Sequence, residues 1–350
     1  MGKPIYLAWR INYSGCIHLN PPLVDLHEDI AAYVLSGSLL NPFPLKPFDI
    51  DEPLRHADIP KYLASNTRLV VASIFPMIPW YSRGGRISYK HYPSLELVYA
   101  GLDLYRNIVL AHREFKLVLG RDQLQGLFNE KNGSIGLLVG LEGADSLRSP
   151  EDLDLLYAGG LRVLGLTWNY NNKYASSCRT QIDNGLTREG LELIGRAVEL
   201  GVAVDLAHAS GKTVRDTYEA TGKPVIVSHA NTRSVHNHPR NLDDKTLEVV
   251  AESKGVVGLV FIASFVSTGV PDVSSLVRHA VYIRDNYGVD ILAIGSDYFG
   301  SLDAPLVKGL ESIDKIGSLW SKLLEEGFTR EDIEKIAWRN PLRALTAWLK

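Results

Sequence analysis

The chain has 350 residues, with 37 basic and 40 acidic side chains and a formal charge of −3, and no block of like charge could track a phosphate backbone or an anionic membrane. Two cysteines, Cys16 and Cys178, are too few for a disulfide framework and lack the paired spacing of a zinc finger or redox motif, so free thiols are expected. The start, Met1 to Tyr6, has no apolar export region and the longest apolar stretch, 255–266, falls short of the roughly 20 residues of a spanning helix; the expectation is a soluble, cytoplasmic protein that binds neither nucleic acid nor membrane, in which the glycosylation-like triplets at Asn12 and Asn132 carry no weight.

The first apolar run, 22–26, leads into His27-Glu28-Asp29. Successive side chains on an extended segment alternate faces, so His27 and Asp29 share a side and can reach one metal. Asp25 has the same parity but lies deeper, which suits a local hydrogen bond or support of a ligand. The run 69–75 follows, and 136–141 ends on Glu142, with Gly143 allowing an immediate turn. After 161–167 comes Trp168; 202–207 ends at His208 and 224–228 at His229; 255–262 and then 291–296, which ends at Asp297, complete the set. Short aliphatic runs bounded by Gly and polar clusters read as buried parallel strands.

Helix signals fill several gaps. Ser149-Pro150 opens a helix that Gly159-Gly160 closes, Thr187 caps 188–199 before Gly201, Ser210 precedes 211–220, and Thr329 with Asp332 forms a capping-box-like start. Eight strand and helix units predict a closed (β/α)8 TIM barrel in a single domain, 1–350, with long loops after the first two strands. Those loops, 30–67 and 76–91, read as irregular and proline-rich (Pro42, Pro44, Pro47, Pro53, Pro60, Pro76, Pro79), either lids over a site or surface decoration.

In such a barrel the carboxyl ends of the strands carry the chemistry. Three imidazoles and three carboxylates at those ends would be costly to bury unless they coordinated something. His27 with Asp29 on one ion, His208 with His229 on a second, and Glu142 between them suit two divalent cations, zinc first, with manganese or cobalt compatible. Asp297 is then placed to take a proton from a metal-activated water and pass it to a leaving group. The remaining histidines lack strand-end placement: His18, His56, His91, His112 and His279 read as surface or packing residues, and His236 and His238 as exposed loop residues.

The stretches around His27-Glu28-Asp29, Glu142-Gly143, Leu161 to Thr167, Asn171 to Cys178, Gly185-Leu186-Thr187, Asp205 to Ser210, Pro224 to His229, Arg240 to Asp244 and Asp290 to Asp297 resemble the renal, or membrane, dipeptidase family, in order and spacing, from about residue 22 to the C-terminal Trp338-Arg339-Asn340-Pro341. The resemblance implies a binuclear zinc barrel that hydrolyses dipeptides, often with a D-residue at the C-terminal position, and related amides or lactams. It carries the metal-ligand roles onto His27, Asp29, Glu142 (bridging), His208 and His229, the acid and base role onto Asp297, and recognition of the substrate carboxylate onto Arg240, whose planar fork suits it. It also carries over a homodimer as an expectation. Three positions depart from the family's pattern: Trp168 stands where a histidine is usual, Phe299 where an aspartate is common, and Val260-Phe261 where Asn-Phe is common. All three are expected to make the pocket bulkier or less polar and to shift the substrate. The alternatives are a barrel hydrolase acting on another amide, lactone or ester, and a metal-binding homologue that no longer turns over.

Overall fold

The structure is a computed structural model that describes residues 19–40, 46–81, 87–129, 133–300 and 304–350. Asn12, Cys16, His18, Pro42, Pro44 and Asn132 lie outside the described residues. The strands are β1 (Leu23–Glu28), β2 (Thr67–Ile74), β3 (Met77–Tyr81), β4 (Ile87–His91), β5 (Phe115–Leu117), β6 (Ile135–Leu141), β7 (Val163–Gly165), β8 (Ala203–Asp205), β9 (Ile226–Val227), β10 (Val256–Leu259) and β11 (Leu292–Ile294).

All pairings in the main sheet are parallel. Its order runs β2, β1, β11, β10, β9, β8, β7, β6, and β2 pairs again with β6 to close the barrel. The eight strands are the eight apolar runs, each buried along nearly all its length. A fully buried aliphatic side chain contributes about 1.5–3 kcal/mol, so strands such as β6, with all seven residues inside, hold the wall together. The short β5 adds to β6 at Ile135–Leu137, below the point where β7 pairs with Gly140 and Leu141.

The helix stops and starts follow the local signals. Thr187, Ser210 and Thr329 accept backbone N–H groups from Gly190, Thr213 and Asp332, and Thr329 with Asp332 completes a capping box. Each such cap is worth about 1 kcal/mol. Gly160 and Gly201 end their helices in the left-handed conformation.

The two long loops are more ordered than the sequence suggests. A helix runs from Ile30 to Leu40 and another from Ile59 to Ala64, capped by Asp58. The first was hidden because its apolar residues surround the axis instead of lining one face, which leaves no helical period to see. Buried Lys61 of the second helix binds Asp51 and Asp58 of the segment before it, where Arg55 donates to three backbone carbonyls. In the second loop β3 and β4 form an antiparallel hairpin that pairs Met77 with His91. Among the described residues no helix is long and apolar enough to cross a membrane.

Candidate metal centre

His27, Asp29, Glu142, His208, His229 and Asp297 converge at the carboxyl end of the barrel, and five of the six are at least 91% buried. The ends of β1 and β11 are tied by backbone bonds, Asp297 N to His27 O at 3.1 Å and Asp29 N to Tyr298 O at 2.8 Å, which bring Asp297 beside the His27–Asp29 pair. His27 Nε2 lies 3.2 Å from Asp29 Oδ2. The alternation of β1 sends the intervening Glu28 elsewhere, to accept a 2.5 Å bond from the Tyr62 hydroxyl. Asp25 accepts from the N–H groups of His27 and Ser296, so it supports the strand ends as its depth implied.

Glu142 stands between two groups of ligands. Its Oε1 is 2.9 Å from His208 Nε2 and 3.7 Å from His229 Nε2, while Oε2 is 3.8 Å from His27 Nε2. The Nε2 atoms of His208 and His229 face each other at 3.1 Å. Two trios, His27–Glu142–His229 and His27–Asp29–Asp297, each offer one atom per residue within 4.8 Å of one another. No Lys or Arg forms an ion pair with Asp29, Glu142 or Asp297 among the described residues, and Asp29 Oδ1 is buried without a hydrogen-bond partner there. Facing imidazole nitrogens, an orphaned carboxylate oxygen and a carboxylate shared between them are a donor set that fits divalent cations.

Burial pushes Glu142 well above the carboxylate range, with Asp29 adding to it and His27 opposing, and burial pushes Asp297 up to about 7. For His27 burial disfavours the charged ring, but Asp29, Glu142 and Asp297 outweigh it and hold the pKa well above the usual value. Burial, then neighbouring cationic groups including Arg240, keep His208 and His229 well below theirs, which is the neutral form a metal needs. His208 and Asp297 both adopt left-handed backbone, φ 63° and 62°, which is costly for non-glycine residues and is tolerated where packing enforces it. Gly143 does turn the chain away from Glu142, at φ 89°.

The supporting residues were not read from the sequence. Asp205 Oδ2 accepts from the Ser228 hydroxyl at 2.6 Å, and that hydroxyl oxygen contacts His229 Nδ1 at 2.8 Å. Asp205 Oδ1 accepts from the N–H groups of Ala207 and Ser228. On the other ring, His208 Nδ1 meets Asn169 Oδ1 at 3.0 Å. Such partners fix tautomer and ring orientation. The only local cue was the polar Ser228 immediately before His229; the approach of Asp205 comes from the pairing of β8 with β9.

Arg240 is 2% exposed; it donates to the His229 carbonyl at 2.9 Å, stacks over Phe265, and leaves Nε unpaired among the described residues. Trp168 is half-buried, its ring 6.2 Å from that of His208. Phe299 and Val260, the other two departures, are both buried, at 2% and 0% exposed. Phe299 packs on Tyr33 and His56, and Val260, whose carbonyl accepts from Asn231 Nδ2, precedes Phe261, which packs on Tyr298.

His56 and His279 are packing residues: His56 accepts from Phe299 N, and His279 bonds to Thr232 N and Val266 O. His236 and His238 are half-buried, His238 accepting from Arg240 N and resting on Phe265, so they are less exposed than the polar loop implied. His91 does end a strand, β4, and its ring lies against Trp168. The hairpin that carries it there was not read from the sequence, although Ile87-Ser88-Tyr89-Lys90 alternates apolar and polar residues.

A family model described as membrane dipeptidase (peptidase family M19) matches residues 15–348. Dipeptidase verJ of Clonostachys rogersoniana is 26% identical over 331 residues, 93% of this chain and 83% of that protein. Dipeptidase tcpJ of Claviceps purpurea is 28% identical over 262 residues, 73% of this chain and 60% of that protein. Among solved structures, a metallopeptidase of Rhodobacter sphaeroides bound to a phosphinate mimic of L-Ala-D-Ala superposes with a TM-score of 0.79 at 20% identity, over 94% of this chain and 99% of that one. The last shares the barrel fold.

Proposed function

Because this chain belongs to the membrane dipeptidase family, peptidase family M19, whose members are hydrolytic metallopeptidases, we propose that it is a binuclear zinc dipeptidase acting on small dipeptides, with a D-residue accepted at the C-terminal position. The observation that carries the reading is Glu142, whose two oxygens face different ligand groups, His208 and His229 on one side and His27 on the other.

His27 and Asp29 would hold one cation and His208 and His229 the other, with Glu142 shared. When bound, such a pair supplies Lewis-acid activation of water and of the scissile carbonyl. Asp297, held beside the His27–Asp29 pair by its backbone bond to the His27 carbonyl, accepts the water's proton and returns it to the departing amine. Arg240, held by its bond to the His229 carbonyl, pairs with the substrate's terminal carboxylate. Trp168 limits the space beside His208 and presents one indole N–H at most.

The test is a hydrolysis panel of L-Xaa-D-Xaa and L-Xaa-L-Xaa dipeptides beside N-acyl amino acids and lactones, run with metal content measured on the same samples. Two metals per chain are expected, with dipeptide hydrolysis that vanishes on chelation and returns with zinc. Faster turnover of lactones or N-acyl amino acids would move the reading to another amide or ester hydrolase. Two bound metals with no turnover across the panel would leave a binding protein.

A further inference from the structure

We propose that Asp145, His91 and the ring of Trp168 form a subsite for a primary ammonium group, which in a dipeptide is the free N-terminal amine; this deepens, and rests on, the hydrolytic reading of the centre.

Two neighbouring side chains at the edge of the metal centre, His91 and Asp145, each carry an unsatisfied polar atom. The His91 side chain is 6% exposed, and its ring stacks on Phe75 at 4.9 Å and lies tilted against Trp168 at 5.2 Å, the three rings forming a triangle in which Phe75 and Trp168 are 5.0 Å apart. Its Nε2 is buried with no hydrogen-bond partner among the described residues. The nearest carboxylate oxygen is Asp145 Oδ2 at 3.5 Å, the outer limit of a hydrogen bond and poorly aligned for one. Asp145 lies three residues after Glu142, in the short turn Ala144–Ser146. Its side chain folds back so far that Oδ1 lies 2.6 Å from where a Cβ on Gly143 would be, and Oδ1 too is buried without a partner among the described residues. No Lys or Arg pairs with Asp145 there.

The chemistry of these atoms selects the ligand. A buried carboxylate oxygen without a donor costs roughly 1–3 kcal/mol or more, so the pair is held in place for something that donates. Asp145 repels an anion. A divalent cation would find only one carboxylate and one imidazole, and neither belongs to the trios with metal-ligand spacing. An ammonium brings three N–H donors and a positive charge: it can donate to Asp145 Oδ1 and to an unprotonated imidazole nitrogen of His91, while the half-buried face of Trp168 offers a cation–π contact. Trp168 also sets the location, because its ring is 6.2 Å from that of His208. In a dipeptide whose scissile carbonyl lies over the metal ligands, the α-amine is the ammonium in reach.

The experiment measures binding, so that it is decided independently of turnover. On the Asp297→Asn background, metal-loaded, isothermal titration compares L-Ala-D-Ala with N-propionyl-D-alanine, which has the same skeleton without the amine. The amine-bearing ligand is expected to bind more tightly. Asp145→Asn should shrink that preference roughly 10- to 100-fold, the loss of one charge-assisted contact, and His91→Phe, which keeps the aromatic stack, should shrink it in the same direction. A purely structural role for either residue would weaken both ligands alike. Equal affinity for the two ligands, no dipeptide binding, or a preference that survives both substitutions overturns the proposal. Absence of dipeptide hydrolysis by the unmodified protein would instead count against the proposed activity.

Discussion

Asp205→Asn is expected to weaken one metal position of the centre without removing a ligand. A carboxylate only accepts, so the Ser228 hydroxyl must donate to Asp205 Oδ2 at 2.6 Å, which leaves its oxygen to accept from His229 Nδ1 at 2.8 Å. That polarity places the ring proton on Nδ1 and the lone pair on Nε2, the atom 3.7 Å from Glu142 Oε1 and 3.1 Å from His208 Nε2. With asparagine, the amide nitrogen takes the Oδ2 position and donates to Ser228, the hydroxyl turns to donate to Nδ1, and the proton moves to Nε2. The retained amide oxygen can still accept from Ala207 and Ser228 N–H, so the fold should survive with a loss of about 1–2 kcal/mol. Metal affinity at the His208–His229 position should fall about 10–100-fold, the usual effect of losing an orienting partner. Competition against a chelator of known affinity, with metal counted by mass spectrometry, reads this directly. The double variant Asp205→Asn/Ser228→Ala should bind the second metal no worse than Asp205→Asn, since the misdirecting donor is gone. Two metals bound by Asp205→Asn as tightly as by the unmodified protein would refute the tautomer argument.

Glu142→Gln replaces the shared charge with a neutral amide between the two ligand groups and should leave at most one tightly held metal per chain, again by metal count; retention of two tight sites would sink the bridging role. Gly295→Ala places a Cβ 1.7 Å from the Ser228 carbonyl oxygen and should cost about 3 kcal/mol or more in urea unfolding, whereas Gly317→Ala, with nothing within 4 Å, should be near neutral. Burial holds His56 and His279 at about 4 in the folded protein. The unfolded chain takes up those protons near 6.5, so their contribution is present above that pH and is lost as pH falls toward 4, by about 3 kcal/mol each at most. Metal-free His279→Gln should therefore lose less stability between pH 7 and pH 4 than the unsubstituted chain; parallel pH profiles would contradict this. The raised carboxyls of Glu142 and Asp297 act in the opposite sense, which is why the comparison is made between variants.

The barrel and its metal-type ligands were legible because each depends on a local pattern. A parallel strand covered on both faces must be aliphatic throughout, so each of the eight strands shows as a run, and a ligand at its carboxyl end interrupts that run with an acid or imidazole. The alternation of β1 also separates His27 from Glu28. The helix Ile30–Leu40 was missed because apolar residues all round its axis erase the amphipathic period, and the β3–β4 hairpin because Pro79 and the flanking prolines mask the short alternation of Ile87 to Lys90.

What the sequence by itself determined is the set of groups that one end of the barrel would gather, and that they call for divalent cations. Only the tertiary structure decided how those groups are held and what surrounds them. Asp205 reaches His229 through Ser228 because β8 pairs with β9, Asn169 meets His208 across 39 residues, and His91 arrives beside Trp168 and Asp145 on a hairpin 54 residues away from the turn that carries Asp145. The physical reason is range. Periodicity and strand-end placement are written within a few residues of one another, whereas a hydrogen bond that fixes a tautomer, or a pocket that selects an amine, joins atoms that only the closed barrel brings together.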